Sequence, residues 1–372
     1  MTGLLIMIVC CTVFSLISQK RSESIRGHRS SSRERIFFTI ILCYTIVFSG
    51  LRVSYNDTYA YIQGFNSALE FPEVLSHFDW NLGSNPGFRI FVSIIRTFTD
   101  NSNLYLMICS AITLGITLWF VRKYTKSFVL ALFLFFMMGY YTFTMAAVKQ
   151  TLTTALALIA VDKLIKNKKL SFVFILLIGA TFHPYCLMYF CIPLLLKQVP
   201  WKKGTWILII CVSGISYAFN FLPEALVNIT EYFGESYGQE MFVGEGINAF
   251  RVMVYFTPVA ISFIWRKILF INSTQKENLF VNCTIVCAMI MFIGLFGNAN
   301  TFARLAMYFE PMIYIALPWM LYKLKARMAG FVIGTGCYTA FPLYFCYQMV
   351  IASTFDQAFS SISLWQFFES FF

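Results

Sequence analysis

Residues 171–196 read SFVFILLIGATFHPYCLMYFCIPLLL, an apolar stretch interrupted near its middle by His183-Pro184. Basic residues flank it on both sides, at 163–169 and 197–203. Because positive clusters stay on the cytoplasmic side of a membrane, the chain must enter the membrane and return within this stretch. Each half is shorter than the roughly 17 residues that a full span needs. We therefore expect the turn to lie at membrane depth, buried in protein or facing a wet cavity.

The whole chain has a membrane composition. Of its 372 residues, 59% are hydrophobic and 12% are charged, against about 45–50% and about 25% in soluble domains. The net charge of +11 comes from basic clusters between apolar runs, which indicates membrane topology and excludes nucleic-acid binding. We predict an all-α fold, a single transmembrane domain over 1–372 with both termini outside. Its twelve segments are 2–19, 36–51, 104–121, 127–144, 146–162, 170–182, 184–196, 204–222, 251–265, 279–297, 303–322 and 329–351.

Two long loops lie on the outer side in this topology, at 52–103 and 223–249. The first contains two helix-like stretches, 57–65 and 86–98. In the second stretch aromatic and aliphatic residues recur at helical spacing, with Arg89 and Arg96 on the other side, which suits a helix lying along the outer leaflet. Loop 223–249 is acidic and rich in Gly and Tyr, and we expect it to cover an outer cavity.

Six basic residues remain at the outer side, where the insertion rule does not place positive charge. Four of them stand at the outer ends of spans and could converge on one anionic group. A diphosphate is the natural partner, because arginine presents a planar fork to phosphate oxygens. Each cation could instead reach to lipid headgroups or to a local carboxylate. The four are Arg52, Lys149, Arg251 and Arg304; the other two are Arg89 and Arg96.

Other polar residues in or near the spans are further candidates. His183 could accept a proton from a hydroxyl or could cap a helix. Asp57 could cap the helix after it, bind sugar hydroxyls or act as a base. Glu310 is deep enough to need a partner, and the proline after it permits a kink. Four tyrosines could stack on sugar rings or belong to the interfacial aromatic belt: Tyr55, Tyr59, Tyr61 and Tyr308.

Several familiar chemistries are missing from the sequence. There is no DxD, Walker A, GxSxG or HExxH motif, which argues against a cytoplasmic nucleotide-driven enzyme. The eleven cysteines lie mostly in apolar runs, without metal-ligand spacing, and are interpreted as small apolar packing residues. We expect no metal and no cofactor.

The order of five short motifs resembles the EpsG family of bacterial exopolysaccharide and O-antigen repeat-unit polymerases, the Wzy-type polymerases, over about residues 45–310. This chain departs from the family pattern in one place, since Lys149 stands where an arginine usually precedes the glutamine. A lysine is a point charge and cannot grip two oxygens in a fork. The motifs are Arg52 with Asn56-Asp57-Thr58, Asn85-Pro86-Gly87-Phe88, Lys149-Gln150, Phe182-His183, and Arg304 with Tyr308-Phe309.

The resemblance implies a membrane glycosyltransferase in the bacterial cytoplasmic (inner) membrane. It would transfer a growing glycan from undecaprenyl diphosphate to a sugar hydroxyl of another lipid-linked repeat unit, with inversion at the anomeric carbon. A flippase and a chain-length regulator would be its partners, besides membrane lipid. From their placement in the sequence, we assign diphosphate binding to Arg52, Lys149, Arg304 and Arg251, and sugar binding to Tyr55, Gln150, Tyr308 and Glu310. The base is His183 or Asp57.

Two other functions fit the same features. One is a glycosyltransferase that uses a polyprenyl-phosphate sugar, or an acyl or glycan ligase. The other is a transporter, such as a lipid-oligosaccharide flippase. Transporters often contain broken helices in matched positions of two repeats, whereas this sequence shows one broken pair, at 170–196.

The topology predicts that loop 20–35 is cytoplasmic and loop 223–249 is outside. Single cysteines placed in each loop of a cysteine-free variant should distinguish the two sides. An impermeant thiol reagent should label the 223–249 cysteine in intact cells or spheroplasts and the 20–35 cysteine only after the inner membrane is permeabilised. The reverse pattern would contradict the topology and the outward-facing chemistry together.

Overall fold

Helices make up most of the described residues. The computed structural model describes residues 1–22, 32–77, 79, 81–218, 245–352 and 355–371. The helices before the chain midpoint are α1 (Thr2–Ser22), α2 (Ser32–Gly50), α3 (Thr58–Asn66), α4 (Pro86–Phe98), α5 (Ser102–Tyr124), α6 (Phe128–Met137), α7 (Tyr140–Ala146), α8 (Val148–Ile165) and α9 (Lys169–Phe182). Those after it are α10 (Ile192–Leu196), α11 (Lys203–Ala218), α12 (Ala249–Ile264), α13 (Arg266–Leu269), α14 (Gln275–Ile293), α15 (Ala299–Met307), α16 (Ile313–Leu324), α17 (Met328–Cys346), α18 (Phe355–Ala358) and α19 (Leu364–Glu369).

Short irregular elements join the helices. A 3₁₀ helix, Pro184–Cys191, connects α9 to α10, and another, Glu310–Met312, precedes α16; a π-helical turn, Tyr347–Ala352, continues α17. Two further 3₁₀ turns, Glu73–His77 and Leu82–Ser84, lie in the first outer loop. The two strands of the described residues are β1 (Arg52–Ser54) and β2 (Ser360–Ser361), which pair antiparallel and attach the C-terminal segment to the start of that loop.

The helices are apolar enough for a membrane protein. α5, α14 and the continuous helix Met328–Ala352 are each long and apolar enough to cross a bilayer. α6 and α7 reach that length only together, as a bent pair, which makes them a fourth candidate. Shorter apolar helices include the first part of α1, α9, α11 and α12. These findings confirm an all-α membrane protein, while the count of twelve segments and the outside position of both termini stay predictions.

Two of the predicted spans are broken rather than straight. The span expected at 127–144 consists of α6 and α7, which meet at 54° because Gly139 adopts φ +85°, a left-handed conformation that favours glycine. The span expected at 303–322 is divided into α15, a 3₁₀ turn and α16, since Pro311 cannot donate a backbone hydrogen bond. The break predicted at His183-Pro184 is confirmed, because α9 ends at Phe182 and a 3₁₀ helix begins at Pro184.

The packing separates an inner core from an apolar exterior. α8 packs against α5 and α9, and α14 packs against α12, α15 and α16. Large apolar side chains nevertheless face outward on the peripheral helices, such as Leu170 (88% exposed), Ile210 (68%) and Phe331 (70%). An apolar exterior of this kind suits contact with lipid.

Loop 52–103 forms both expected helices, α3 and α4. α4 was expected along the outer leaflet, but it packs against α9, and only part of its apolar stripe, such as Phe98, is exposed. The close approach depends on Gly87, because a Cβ there would lie 2.9 Å from Phe182 Cδ2. Residues 223–244 of the loop predicted at 223–249 lie outside the described residues.

The close contact between α2 and α5 yields a stability prediction. A Cβ added at Gly50 would lie 2.7 Å from Met107 Cβ and 2.9 Å from its Cα, which are rigidly attached to α5. We expect Gly50→Ala to lower the free energy of unfolding by about 1–3 kcal/mol, the usual cost of overpacking. Thermal unfolding of the detergent-purified protein measures the effect.

Gly115→Ala is the matched control, because Gly115 lies within α5 and a Cβ there would meet no atom within 4 Å. Alanine is the better helix former, so this variant should be neutral or up to about 1 kcal/mol more stable. Equal unfolding temperatures for the two variants would contradict the tight α2–α5 contact.

Candidate active site

A cavity of about 650 Å³ lies where three helix starts, one helix end and the body of α15 meet. The starts of α3, α4 and α8 contribute to its wall, together with the residue that follows α9. Its lining includes polar and charged side chains from parts of the sequence that are far apart. The predicted site residues on the lining are Asp57, Lys149, Gln150, His183 and Arg304.

An ion pair crosses the cavity wall between Asp57 and Arg304. The Arg304 guanidinium donates to Asp57 Oδ2 at 3.1 Å and, through Nε, to Asn300 Oδ1 at 2.9 Å. Asp57 precedes α3, yet its side chain makes no capping hydrogen bond, so the interpretation of Asp57 as a helix cap is wrong. Both partners are about 40% exposed (40% and 42%), so the pair remains accessible and contributes only about 0–1 kcal/mol to stability.

The start of α8 presents the positive end of a long helix to the cavity. The residue before it, Ala147, has no side chain that can cap the helix, and the Lys149 amide donates to Tyr61 Oη at 3.2 Å. Gln150 donates from Nε2 to the backbone carbonyl of Arg304. The Lys149 charge and the helix end together favour a negatively charged ligand at this point.

His183 lies in extended backbone between two helices. Its backbone N–H donates to the Gly179 carbonyl, but its side chain makes no capping hydrogen bond, so the interpretation of that side chain as a helix cap is wrong. Its Nδ1 is 2.8 Å from the hydroxyl of Tyr308, which is buried. The hydroxyl can donate or accept, and its choice fixes the imidazole tautomer. If Nδ1 carries the proton and donates to Tyr308, Nε2 is left unprotonated and can accept a proton.

A sequence model of the EpsG family matches residues 35–363, nearly the whole chain. The chain belongs to the EpsG family. Membership implies a polysaccharide polymerase of the Wzy-like kind, a glycosyltransferase-like activity in polysaccharide biosynthesis. No curated protein and no solved structure matches the chain.

The five motifs behind the family resemblance supply residues to the cavity or pack next to it. Gly87 lets α4 approach the end of α9, and Phe88 contacts Phe182 edge to face, with ring centroids 6.4 Å apart. Gln150 and Tyr308 contribute structural hydrogen bonds, from Gln150 to Arg304 and between Tyr308 and His183. The family pattern therefore includes residues that position the lining as well as residues that form it.

Arg52 is enclosed behind the cavity wall. It is 0% exposed and donates to Ser49 at the end of α2 and to Thr58 Oγ1 at the start of α3. One guanidinium nitrogen, Nη2, has no partner among the described residues. Arg52 is not on the cavity lining, so its position does not fit the expected direct grip on a diphosphate. Its contacts instead fix the start of α3, and thereby Asp57.

Arg251 and Glu310 belong to a separate buried cluster. Glu310 accepts a hydrogen bond from Tyr255 Oη at 2.6 Å and another from Tyr314 Oη, so its need for a partner is met within the protein. Arg251 interacts with Tyr255 and, electrostatically, with Glu310. Neither residue is on the cavity lining, because these internal contacts hold both away from it.

Tyr55 and Tyr308, two of the tyrosines expected to contact sugar, are also buried. Tyr55 packs against Phe355 and Phe359 of the C-terminal segment, with ring centroids 5.2 Å and 6.3 Å away. Tyr308 faces His183 and, through its backbone carbonyl, accepts from Tyr189 Oη. Aromatic packing inside the protein therefore replaces the expected stacking on sugar.

The polar lining residues outside the assigned set of site residues include Tyr61, Asn85 and Arg89. Burial raises the pKa of Tyr61 to about 12, so its hydroxyl stays neutral and can donate to a ligand. Arg89 was assigned to the outer leaflet because periodicity shows which residues share a helix face but not what covers it. The sequence contained one signal for Asn85 and Arg89. They are spaced i, i+4 around the Gly-aromatic motif, so they lie next to each other on one face of the helix.

Among the described residues, no group of three or more His, Cys, Asp or Glu could hold a metal ion. The cavity instead combines three cations, Arg89, Lys149 and Arg304, with one carboxylate, Asp57. Asp57 and Arg304 neutralise each other, which leaves the positive charges of Arg89 and Lys149 on the lining. This balance favours an anionic ligand with uncharged polar groups beside it.

Proposed function

We propose that the chain polymerises undecaprenyl-diphosphate-linked oligosaccharide repeat units into O-antigen or exopolysaccharide at the outer side of the bacterial cytoplasmic membrane. The observation that carries the proposal is the cavity, which gathers a base candidate, His183, with Lys149, Arg304 and Asp57. A flippase would deliver the lipid-linked units and a chain-length regulator would limit the product.

The reaction proceeds by one displacement. A hydroxyl of the acceptor unit gives its proton to the base, and its oxygen forms a bond to the anomeric carbon of the growing glycan. The bond from that carbon to the diphosphate oxygen breaks, and undecaprenyl diphosphate leaves with the electron pair. A single displacement inverts the anomeric configuration and needs no covalent intermediate, by analogy with inverting glycosidases. No metal is required by this step.

The cations act on the leaving group. Lys149, Arg304 and the start of α8 surround the position where charge accumulates on the departing diphosphate. The diphosphate replaces Asp57 as the partner of Arg304, at small cost because the resting pair is solvent-accessible. Arg89 lies one turn into α4 on the same lining and adds positive charge at the cavity edge.

Removal of a lining cation should abolish or strongly reduce polymer formation. We expect Arg304→Ala and Lys149→Ala each to lower turnover by about 10²- to 10³-fold, because each removes stabilisation of the leaving group. Lys149→Arg should retain activity, since the family pattern has arginine there. The assay uses purified protein with a lipid-linked repeat unit and resolves products by length, so that a ladder identifies a polymerase.

A single added sugar in place of a ladder would instead indicate the rival glycosyltransferase. The matched control for the cations is on α4, where Arg89 lines the cavity but Arg96 pairs with Asp100 outside it. Arg89→Ala should reduce activity and Arg96→Ala should not. A wild-type ladder from Arg304→Ala would remove the diphosphate assignment.

The base is assigned to His183 rather than to Asp57. Asp57 is held by the Arg304 guanidinium, whereas His183 can donate from Nδ1 to the Tyr308 hydroxyl and so keep Nε2 free to accept a proton. At saturating substrate His183→Gln should lower turnover by about 10²- to 10⁴-fold, the usual contribution of a general base. Asp57→Asn should act mainly on KM, because it disturbs Arg304.

Tyr308→Phe tests the same assignment through the hydrogen bond at Nδ1 of His183. It removes the hydroxyl that orients Nδ1 and should lower turnover less than His183→Gln does, about 10-fold, as expected from loss of roughly one hydrogen bond. Near wild-type turnover of His183→Gln, combined with an inactive Asp57→Asn, would transfer the role of base to Asp57.

A further inference from the structure

The start of α4 contains a buried hydrogen-bond acceptor that the protein does not use. Asn85 is 9% exposed and lies on the lining of the cavity. Its Nδ2 donates to the Gly83 carbonyl at 2.9 Å, whereas its Oδ1 is buried and has no partner among the residues that the structure describes. A buried carbonyl oxygen without a donor is unfavourable, and native proteins rarely retain one.

Local structure does not explain why this oxygen is there. Asn85 precedes α4, but its side chain makes no capping hydrogen bond. The nearby Gly83 amide is already satisfied by Asn81 Oδ1 at 3.0 Å. The backbone of Asn85 has φ +53°, which asparagine tolerates, but glycine would adopt it without burying an unpaired oxygen.

The surroundings of Asn85 suit a sugar. Ser84 and Phe88 lie beside it on the lining and offer a small polar group and an aromatic ring. Gly87 anchors this end of α4 against Thr181 and Phe182, directly before His183. The distance between the unused acceptor and the candidate base is thus set by helix packing. A donor group bound at Asn85 would belong to the same substrate that reacts near His183.

We propose that Asn85 is a sugar-binding residue: its Oδ1 accepts a hydrogen bond from a ring hydroxyl or an acetamido N–H of the repeat unit. The inference rests on the proposed polymerase function and adds to it a contact with the uncharged part of the substrate. Lys149 and Arg304 hold the diphosphate, and Asn85 fixes the orientation of a sugar relative to it.

The test compares two asparagine-to-glycine variants. Asn85→Gly removes the acceptor and keeps the left-handed backbone. Asn167→Gly is the matched control, because Asn167 has φ +60° but lies between α8 and α9, away from the cavity lining. The probe is the lipid-linked repeat unit extracted from cells that lack this protein, and the readouts are KM, kcat and unfolding temperature of the purified full-length chain.

We expect Asn85→Gly to raise KM about 3- to 10-fold, the effect of losing one hydrogen bond to an uncharged group, with kcat within about 2-fold of wild type. Its unfolding temperature should stay within about 2 °C of that of Asn167→Gly. The rise in KM should be the same at low and high salt, whereas that of Arg89→Ala should shrink as salt screens its charge.

Three outcomes would overturn the inference. KM values of Asn85→Gly and Asn167→Gly within 2-fold of each other would show that the acceptor does not bind substrate. A rise in KM together with a fall in both kcat and unfolding temperature would assign Asn85 a structural role. A wild-type protein that forms no product ladder would overturn the polymerase proposal and this inference together. An active wild-type protein, combined with an Asn85→Gly variant whose KM is unchanged, would overturn the inference alone.

Discussion

Backbone groups freed by helix breaks at membrane depth must find partners within the protein, and this constraint shapes the candidate site. The Arg304 carbonyl accepts from Gln150 Nε2, and the Tyr308 carbonyl, beside the break before Pro311, accepts from Tyr189 Oη. The first bond joins the start of α8 to α15, and the second joins the segment after His183 to the same region. The side chains that satisfy the backbone therefore also bring the cavity together.

Two arginines that look equivalent in the sequence differ in the accessibility of their negatively charged partners. Arg251 and Arg304 both stand near the outer end of a predicted span. Arg251 lies in a buried cluster with Glu310 and Tyr255, where loss of a partner is strongly unfavourable. Arg304 pairs with the half-exposed Asp57, where exchange of one anion for another is inexpensive. Accessibility of the counterion, rather than the charge itself, makes Arg304 the better ligand for a substrate.

Local signals predicted the features that depend on the local sequence. The break at His183-Pro184, the helices at 57–65 and 86–98, and the cations at 149 and 304 follow from proline, periodicity and the insertion rule. The sequence could not show what covers each side chain. Arg52 is enclosed because Ser49 and Thr58 converge on it, and Arg89 lines the cavity because α4 docks on α9; both are properties of tertiary packing.

Some hydrogen-bonding groups on the cavity lining already have partners within the protein, and others do not. Gln150 is occupied by a backbone carbonyl, and Tyr61 Oη accepts from the Lys149 amide while its own proton remains available. Asn85 Oδ1 has no hydrogen-bond partner among the described residues. Sites retain such unfavourable groups when a ligand satisfies them. An uncharged acceptor beside a cation, at a fixed distance from His183, is the arrangement that a sugar linked to a diphosphate would complete.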